Sequence, residues 1–210
     1  MEQLIHTDQQ WLLAINGAHT AWADWLMWYV SQSWVWIPLY GVLIALMWHR
    51  FGWKFTLVAL VCLAAAVGLS DWISSGVIKH AVCRLRPTHE PALEGLVHTV
   101  FGYRGGQYGF VSSHAANTIA IALLYSLMWE YGCKHTCRTR SHACWWLLVY
   151  VAANCYSRMY LGVHYLGDIL GGLLVGGTMS AIVFALFRYW VAPCLLGDVS
   201  DADRDWYAAS

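Results

Sequence analysis

An all-α fold, a polytopic membrane helix bundle, is what this sequence predicts, on three observations. Of the 210 residues, 59% are hydrophobic and 11% charged, with a mean hydropathy of +0.47; a soluble domain carries roughly 25% charged residues. The apolar residues gather into runs of about bilayer length. Tryptophan and tyrosine crowd the ends of those runs, where their amphipathic rings suit a membrane surface. The expectation is a single membrane-embedded domain over residues 1–195, with five to six transmembrane helices and an N-terminal interfacial helix, then a mobile acidic tail over 196–210.

Residues 3–18 set Leu4, Ile5, Trp11, Leu12 and Ile15 among polar residues, which predicts an amphipathic helix lying at the membrane surface. Glu2 and Asp8 replace the basic start of a leader, so no cleaved signal peptide is expected. Residues 22–48 are interrupted by Ser31, Gln32, Ser33 and Pro38, predicting a short helix to about Tyr29 and a span over 34–48. Arg50 and Lys54 flank a tight connection to a second span over 55–78, which carries Asp71 in its final third. An acid at that depth is expensive unless paired or wetted, so it either faces the protein interior or already sits at headgroup level.

Residues 79–108 form the longest polar stretch, rich in proline and glycine, and a loop of that length in a compact protein is usually functional or disordered. Further spans are predicted over 110–129, 143–156 and 165–187. The last places Gly172, Gly176 and Ser180 four residues apart, a small-residue face that allows close helix contact. With the spans alternating, Arg50, Lys54, Lys134, Arg138, Arg140 and Arg188 share one side. Positive charge prefers the cytoplasm. The opposite, outer side then holds Lys79, Arg86, His114, Arg158 and His164.

Twelve basic and twelve acidic residues balance, so no nucleic-acid partner is expected. The seven cysteines lie mostly in apolar runs, and Cys133-Lys-His135-Thr-Cys137 lacks the second half of a metal site, so no metal is expected.

Three polar clusters meet on the outer side. Lys79-x6-Arg86-Pro87 sets two cations seven residues apart, nearly eclipsed on a helix, before proline pushes the chain out of helical geometry. Ser112, Ser113 and His114 open a span, where free backbone N–H groups and the helix dipole suit an anion. In Ser157-Arg158-x5-His164-x3-Asp168, a helix starting near His164 puts Asp168 at i+4, able to fix the imidazole tautomer while Arg158 holds a phosphate before the other nitrogen. That reads as a phosphohistidine nucleophile. A structural His–Asp pair with Arg158 snorkelling to the surface fits the same residues.

With these residues in order, the sequence resembles the type 2 phosphatidic acid phosphatase superfamily, whose pattern is Lys-x6-Arg-Pro, Pro-Ser-Gly-His and Ser-Arg-x5-His-x3-Asp. The first and third motifs are complete. The second reads Val111-Ser112-Ser113-His114 and lacks the family's proline and glycine. The match covers about residues 71–174, and nothing before Trp53 contributes. The resemblance implies a phosphatase needing no metal or other cofactor. His164 is then the nucleophile, Asp168 its orienting partner, and His114 the acid that protonates the leaving oxygen and later the base. Lys79, Arg86, Arg158, Ser112 and Ser113 would hold the phosphate oxygens. The residues alone do not choose between His114 and His164 as nucleophile.

Arg84 and Arg104 fall outside the pattern and are expected as headgroup or second-phosphate contacts, or otherwise rim charges, with His80, His89 and His98 as solvated loop residues. The implied partner is a membrane lipid phosphate in the bilayer, with undecaprenyl diphosphate first and lipid A, phosphatidylglycerol phosphate and phosphatidic acid after it. The implied place is a bacterial inner membrane, with the site facing the periplasm and the C-terminus cytoplasmic. A lipid phosphotransferase keeps the same intermediate. A transporter would spread ionisable residues through the spans and show repeats, which this chain does not; an inactive lipid-binding relative would tolerate the altered second motif.

Overall fold

A computed structural model describes residues 2–135 and 143–196. The chain beyond His135 in the Cys133 to Cys137 segment, and the acidic tail after Leu196, lie outside the described residues. Among the described residues eight α-helices form: α1 (Glu2–Gly17), α2 (Ala21–Val30), α3 (Ile37–Asp71), α4 (Lys79–Val82), α5 (Ser113–His135), α6 (Ala143–Tyr160), α7 (Leu166–Leu186) and α8 (Ala192–Leu196). A π-helical turn, Trp72–Ile78, joins α3 to α4, and another, Phe187–Val191, joins α7 to α8. No strand is present among the described residues. Among the described residues two helical stretches, Ser33–Val82 and Leu166–Cys194, are long and apolar enough to cross a membrane.

The expected tight connection lies inside α3. Gly52 adopts φ 82° and ψ 170°, a conformation open to glycine and costly for other residues, and it divides the helix into two runs near Arg50 and Lys54. The Phe51 ring packs on Trp129 with centroids 5.1 Å apart, and Phe55 on Phe187 at 6.1 Å. This break therefore meets the far ends of α5 and α7, opposite the polar clusters.

The α5–α7 seam carries the site. A Cβ on Gly176 would lie 2.0 Å from the Ala116 carbonyl oxygen, and one on Gly172 2.4 Å from that of Ser112. Only bare backbone fits, as the four-residue spacing of small residues predicts. Ser180 completes the face by donating to the Ala120 carbonyl at 3.1 Å. Elsewhere the Tyr40 and Tyr150 hydroxyls pair at 2.8 Å between α3 and α6, and Tyr125 bonds the Leu43 carbonyl at 3.0 Å.

One expectation is corrected and two are sharpened. Asp71 is exposed and accepts a 3.4 Å hydrogen bond from Asn117, so of its two expected placements the inward one is ruled out. Lys79 and Arg86 do not share a helix face: α4 ends at Val82, Cys83 turns left-handed at φ 52°, and Arg86 is extended. Helix α1 is more than a surface raft. Asp8, Leu12 and Asn16, one turn apart on one face, turn into the protein. Buried Asn16 donates to the His98 and Tyr160 carbonyls at 2.9 and 2.8 Å and accepts from the His98 N–H at 2.8 Å. Leu12 is buried against Leu93 and Tyr165, whereas Ile5 and Trp11 stay exposed.

Candidate active site

Helices α5 and α7 start side by side, and their first turns place two of the three motifs. The Ser112 N–H donates to the Asp168 carbonyl at 3.0 Å, joining the second motif to the third. In α7, Tyr165 is the N-cap, and the Asp168 carboxylate reaches back to accept from its backbone N–H at 3.1 Å. That capping geometry fixes the carboxylate at the helix start. His164 Nδ1 lies 3.4 Å from Asp168 Oδ2, and the two residues are 1% and 0% exposed. The i+4 relation thus holds although the helix begins two residues after His164.

Three cations converge on this pair. Arg158, in the last turn of α6, and Arg86, in the loop, are 3% and 8% exposed. Arg158 is held by the Ser31 hydroxyl through Nη1 and by Tyr103 Oη at 3.3 Å through Nη2. Arg86 Nε donates to the Tyr108 carbonyl at 3.0 Å. Arg158 Nε and Arg86 Nη1 are buried with no protein partner. Buried guanidinium donors left unpaired are costly and mark a place for an acceptor. Lys79 Nζ donates to Ser113 Oγ at 2.8 Å, and Ser113 Oγ also meets Ser75 Oγ at 2.7 Å. The residue standing where the resemblance has glycine therefore anchors the lysine.

Burial, followed by the charges of Arg158, Arg86 and Lys79, holds the His164 pKa well below the usual histidine value. Its imidazole is neutral at neutral pH, with a lone pair available. The Gly109 backbone accepts from the same ring, and a Cβ there would lie 2.8 Å from Asp168 Oδ2. His114, at the start of α5, lies in the field of Arg158, His164, Arg86 and Lys79. It lines a cavity of about 230 Å³ with Asn117, Tyr40 and Val67. An apolar cavity of about 290 Å³, sharing Tyr40, Val67 and Ile121 with the first, continues along α3 and α5.

All eight motif residues, Lys79, Arg86, Ser112, Ser113, His114, Arg158, His164 and Asp168, are brought to one end of the bundle. Of the two arginines outside the motifs, Arg104 is turned to the loop and Arg84 to the Asp168 carboxylate. Arg104 binds the Thr88 carbonyl, and its own carbonyl accepts from the Thr88 hydroxyl at 2.7 Å, a clasp that shapes the loop. Arg84 pairs with two carboxylates, Asp168 at 2.9 Å and Asp8 at 2.7 Å. His98 is not merely solvated: Nε2 lies 3.0 Å from Asp24, and the ring stacks on His19 with centroids 3.8 Å apart.

Tyr103 and Asp8 were not singled out by the sequence. Burial alone pushes the Tyr103 phenol up, but the Arg158 and Arg86 guanidiniums outweigh it and bring the pKa below the ordinary tyrosine value. No local pattern marks either residue, because both reach the site through contacts distant in sequence.

The sequence profile of the PAP2 superfamily matches residues 55–192. A lipid A 4'-phosphatase of Porphyromonas gingivalis is 30% identical over 189 residues, covering 90% of this chain and 76% of that protein. A second lipid A 4'-phosphatase, from Bacteroides thetaiotaomicron, is 32% identical over 182 residues, covering 84% of this chain and 75% of that protein. Among solved structures, a transmembrane PAP2 type phosphatidylglycerolphosphate phosphatase from Bacillus subtilis superposes with a TM-score of 0.67 at 20% identity, covering 90% of this chain and 89% of that one; this likeness speaks to the fold alone. The chain belongs to the PAP2 superfamily and is a membrane phosphatase, a hydrolase of phosphate bonds.

Proposed function

We propose that this enzyme removes a phosphate from the headgroup of a membrane glycolipid, with lipid A as its first substrate, through a phosphohistidine on His164. The observation that carries the reading is the buried His164, paired with Asp168 and in the field of Arg158 and Arg86, each of which keeps a buried guanidinium donor without a protein partner. Two relatives along most of the chain are named for lipid A. The cavity beside His114 and its apolar continuation offer a hydrocarbon chain a place within the bilayer. Undecaprenyl diphosphate, the first expectation from sequence, has no counterpart in those names and stands second.

In this reading the His164 nitrogen remote from Asp168 attacks phosphorus, and the bond to the lipid oxygen breaks as His114 donates a proton to it. Lys79, Arg86 and Arg158 stabilise the equatorial oxygens in the transition state. Water then attacks the phosphohistidine, His114 takes its proton, and free phosphate leaves with His164 restored. Asp168 fixes the imidazole and stabilises its cationic form. The bundle end bearing Arg50, Lys54, Lys134 and Arg188 faces the cytoplasm, so the site and its lipid lie on the periplasmic side of the inner membrane.

The test is phosphate release by purified protein, wild type beside His164→Ala, from lipid A, undecaprenyl diphosphate, phosphatidylglycerol phosphate and phosphatidic acid in mixed micelles. Release that is fastest on lipid A and lost with His164 supports the proposal. Faster release from undecaprenyl diphosphate overturns the substrate, and no release from any of them by folded protein turns the reading to a phosphotransferase that needs an acceptor.

A further inference from the structure

We propose that Arg84 and Asp8 are positioning residues for the Asp168–His164 pair, which makes the N-terminal helix a working part of the active site. The inference rests on the reading of His164 as nucleophile and adds residues that lie outside the three motifs.

The geometry is a closed ring of hydrogen bonds around the first turn of α7. Asp168 Oδ2 faces His164 and the Tyr165 N–H, and Oδ1 accepts from Arg84 Nη1 at 2.9 Å. Arg84 Nη2 donates to Asp8 Oδ2 at 2.7 Å, and Asp8 Oδ1 accepts from the Gly167 N–H at 2.9 Å. The guanidinium lies over the Tyr165 ring, 4.1 Å from its centroid, which sets its plane. The Arg84 carbonyl accepts from the Gly109 N–H at 2.8 Å, so the Gly109 backbone beside His164 is tied to the same residue. Every donor of this ring is directed at a carboxylate, and a carboxylate with both oxygens bonded has little freedom to turn.

Charge separates this arginine from its neighbours. Asp168 is fully buried and needs a compensating cation. Arg84 supplies it, while among the described residues Lys79, Arg86 and Arg158 make no ion pair and keep their charge for a phosphate. Asp8 in turn neutralises Arg84 and caps α7 from α1, two elements separated by most of the chain. Loss of either residue frees Asp168 to swing from His164, which slows the chemistry without weakening substrate binding.

The experiment measures kcat and KM for lipid A with the full chain in detergent, for Arg84→Gln, Arg84→Lys and Asp8→Asn. Arg84→Gln is expected to lower kcat about 10- to 100-fold, the range typical of outer partners that orient a histidine, with KM nearly unchanged. Asp8→Asn should lower kcat less, and Arg84→Lys should recover part of the loss. In an Asp168→Asn background, Arg84→Gln should cost nothing more, because residues acting as a unit are not additive. A rise in KM at constant kcat would make Arg84 a headgroup contact and overturn the proposal, as would an unchanged kcat or full additivity with Asp168→Asn. Should Arg84→Gln fail to fold, the other two variants decide. His164→Ala runs alongside: activity in that variant sinks the nucleophile reading, whereas its loss beside unimpaired Arg84 and Asp8 variants sinks this inference alone.

Discussion

Lys79 Nζ donates to Ser113 Oγ across 2.8 Å, joining the end of the α3 to α4 rod to the first turn of α5. A hydroxyl at this position is the chain's departure from the family's second motif, and it aims the ammonium into the site. A hydrogen bond to a charged group is worth about 1.5 to 3 kcal/mol, and part of that is recovered by water once the hydroxyl is gone. Ser113→Ala is therefore expected to lower kcat/KM about 3- to 10-fold, which steady-state phosphate release checks. Ser113→Gly, which keeps the backbone donor of the family pattern, should give a loss of similar size.

Tyr103 bonds Arg158 at 3.3 Å and also interacts with Arg86, holding both guanidiniums at one spacing. Tyr103→Phe leaves the ring and removes the hydroxyl. We expect KM to rise several-fold with a smaller change in kcat, since in the proposed reading the arginines hold the phosphate in ground state and transition state alike. An unchanged KM would show that the arginines hold their places without it.

Acid should destabilise the fold through His164. Its pKa is well below the ordinary 6.5 in the folded chain, so near pH 6 the unfolded chain takes up a proton that the native one does not. The stability it contributes is complete above about pH 6.5 and is lost as pH falls below it, by up to about 1.4 kcal/mol per pH unit. Thermal unfolding in detergent between pH 8 and 5 should show this slope, and His164→Gln should reduce it.

Gly176→Val puts methyl groups where the Ala116 carbonyl oxygen already sits 2.0 Å from the Cβ position. Overpacking typically costs about 1 to 3 kcal/mol, and here backbone has to move. The variant should melt lower and lose activity together, because the same seam sets Ser112 against Asp168.

What was legible in the sequence was local or periodic. The Gly172, Gly176 and Ser180 face, the break near Arg50 and the His164 to Asp168 spacing each lie within a few residues and follow from helix geometry. What was hidden depends on contacts between distant segments. Asp8 and Arg84 are 76 positions apart, and nothing near either one marks the pairing. The same holds for His98 and Asp24, 74 positions apart. Lys79 and Arg86 came together for a different reason than their spacing indicated: the helix stops at Val82, and the extended segment after Cys83 delivers Arg86. Asp71 shows the same limit, since its neighbours in sequence allow it to face inward or outward and only the fold leaves it exposed.

The central claim, a phosphate carried on His164, is tested most directly by trapping the intermediate. Purified enzyme is mixed with phosphate-labelled lipid A, quenched in alkaline denaturant within milliseconds, digested and mapped by mass spectrometry. The account predicts label on the peptide containing His164, stable to base and released by acid, and absent from His164→Ala. Label on His114, or His164→Ala that still releases phosphate at the wild-type rate, would contradict it.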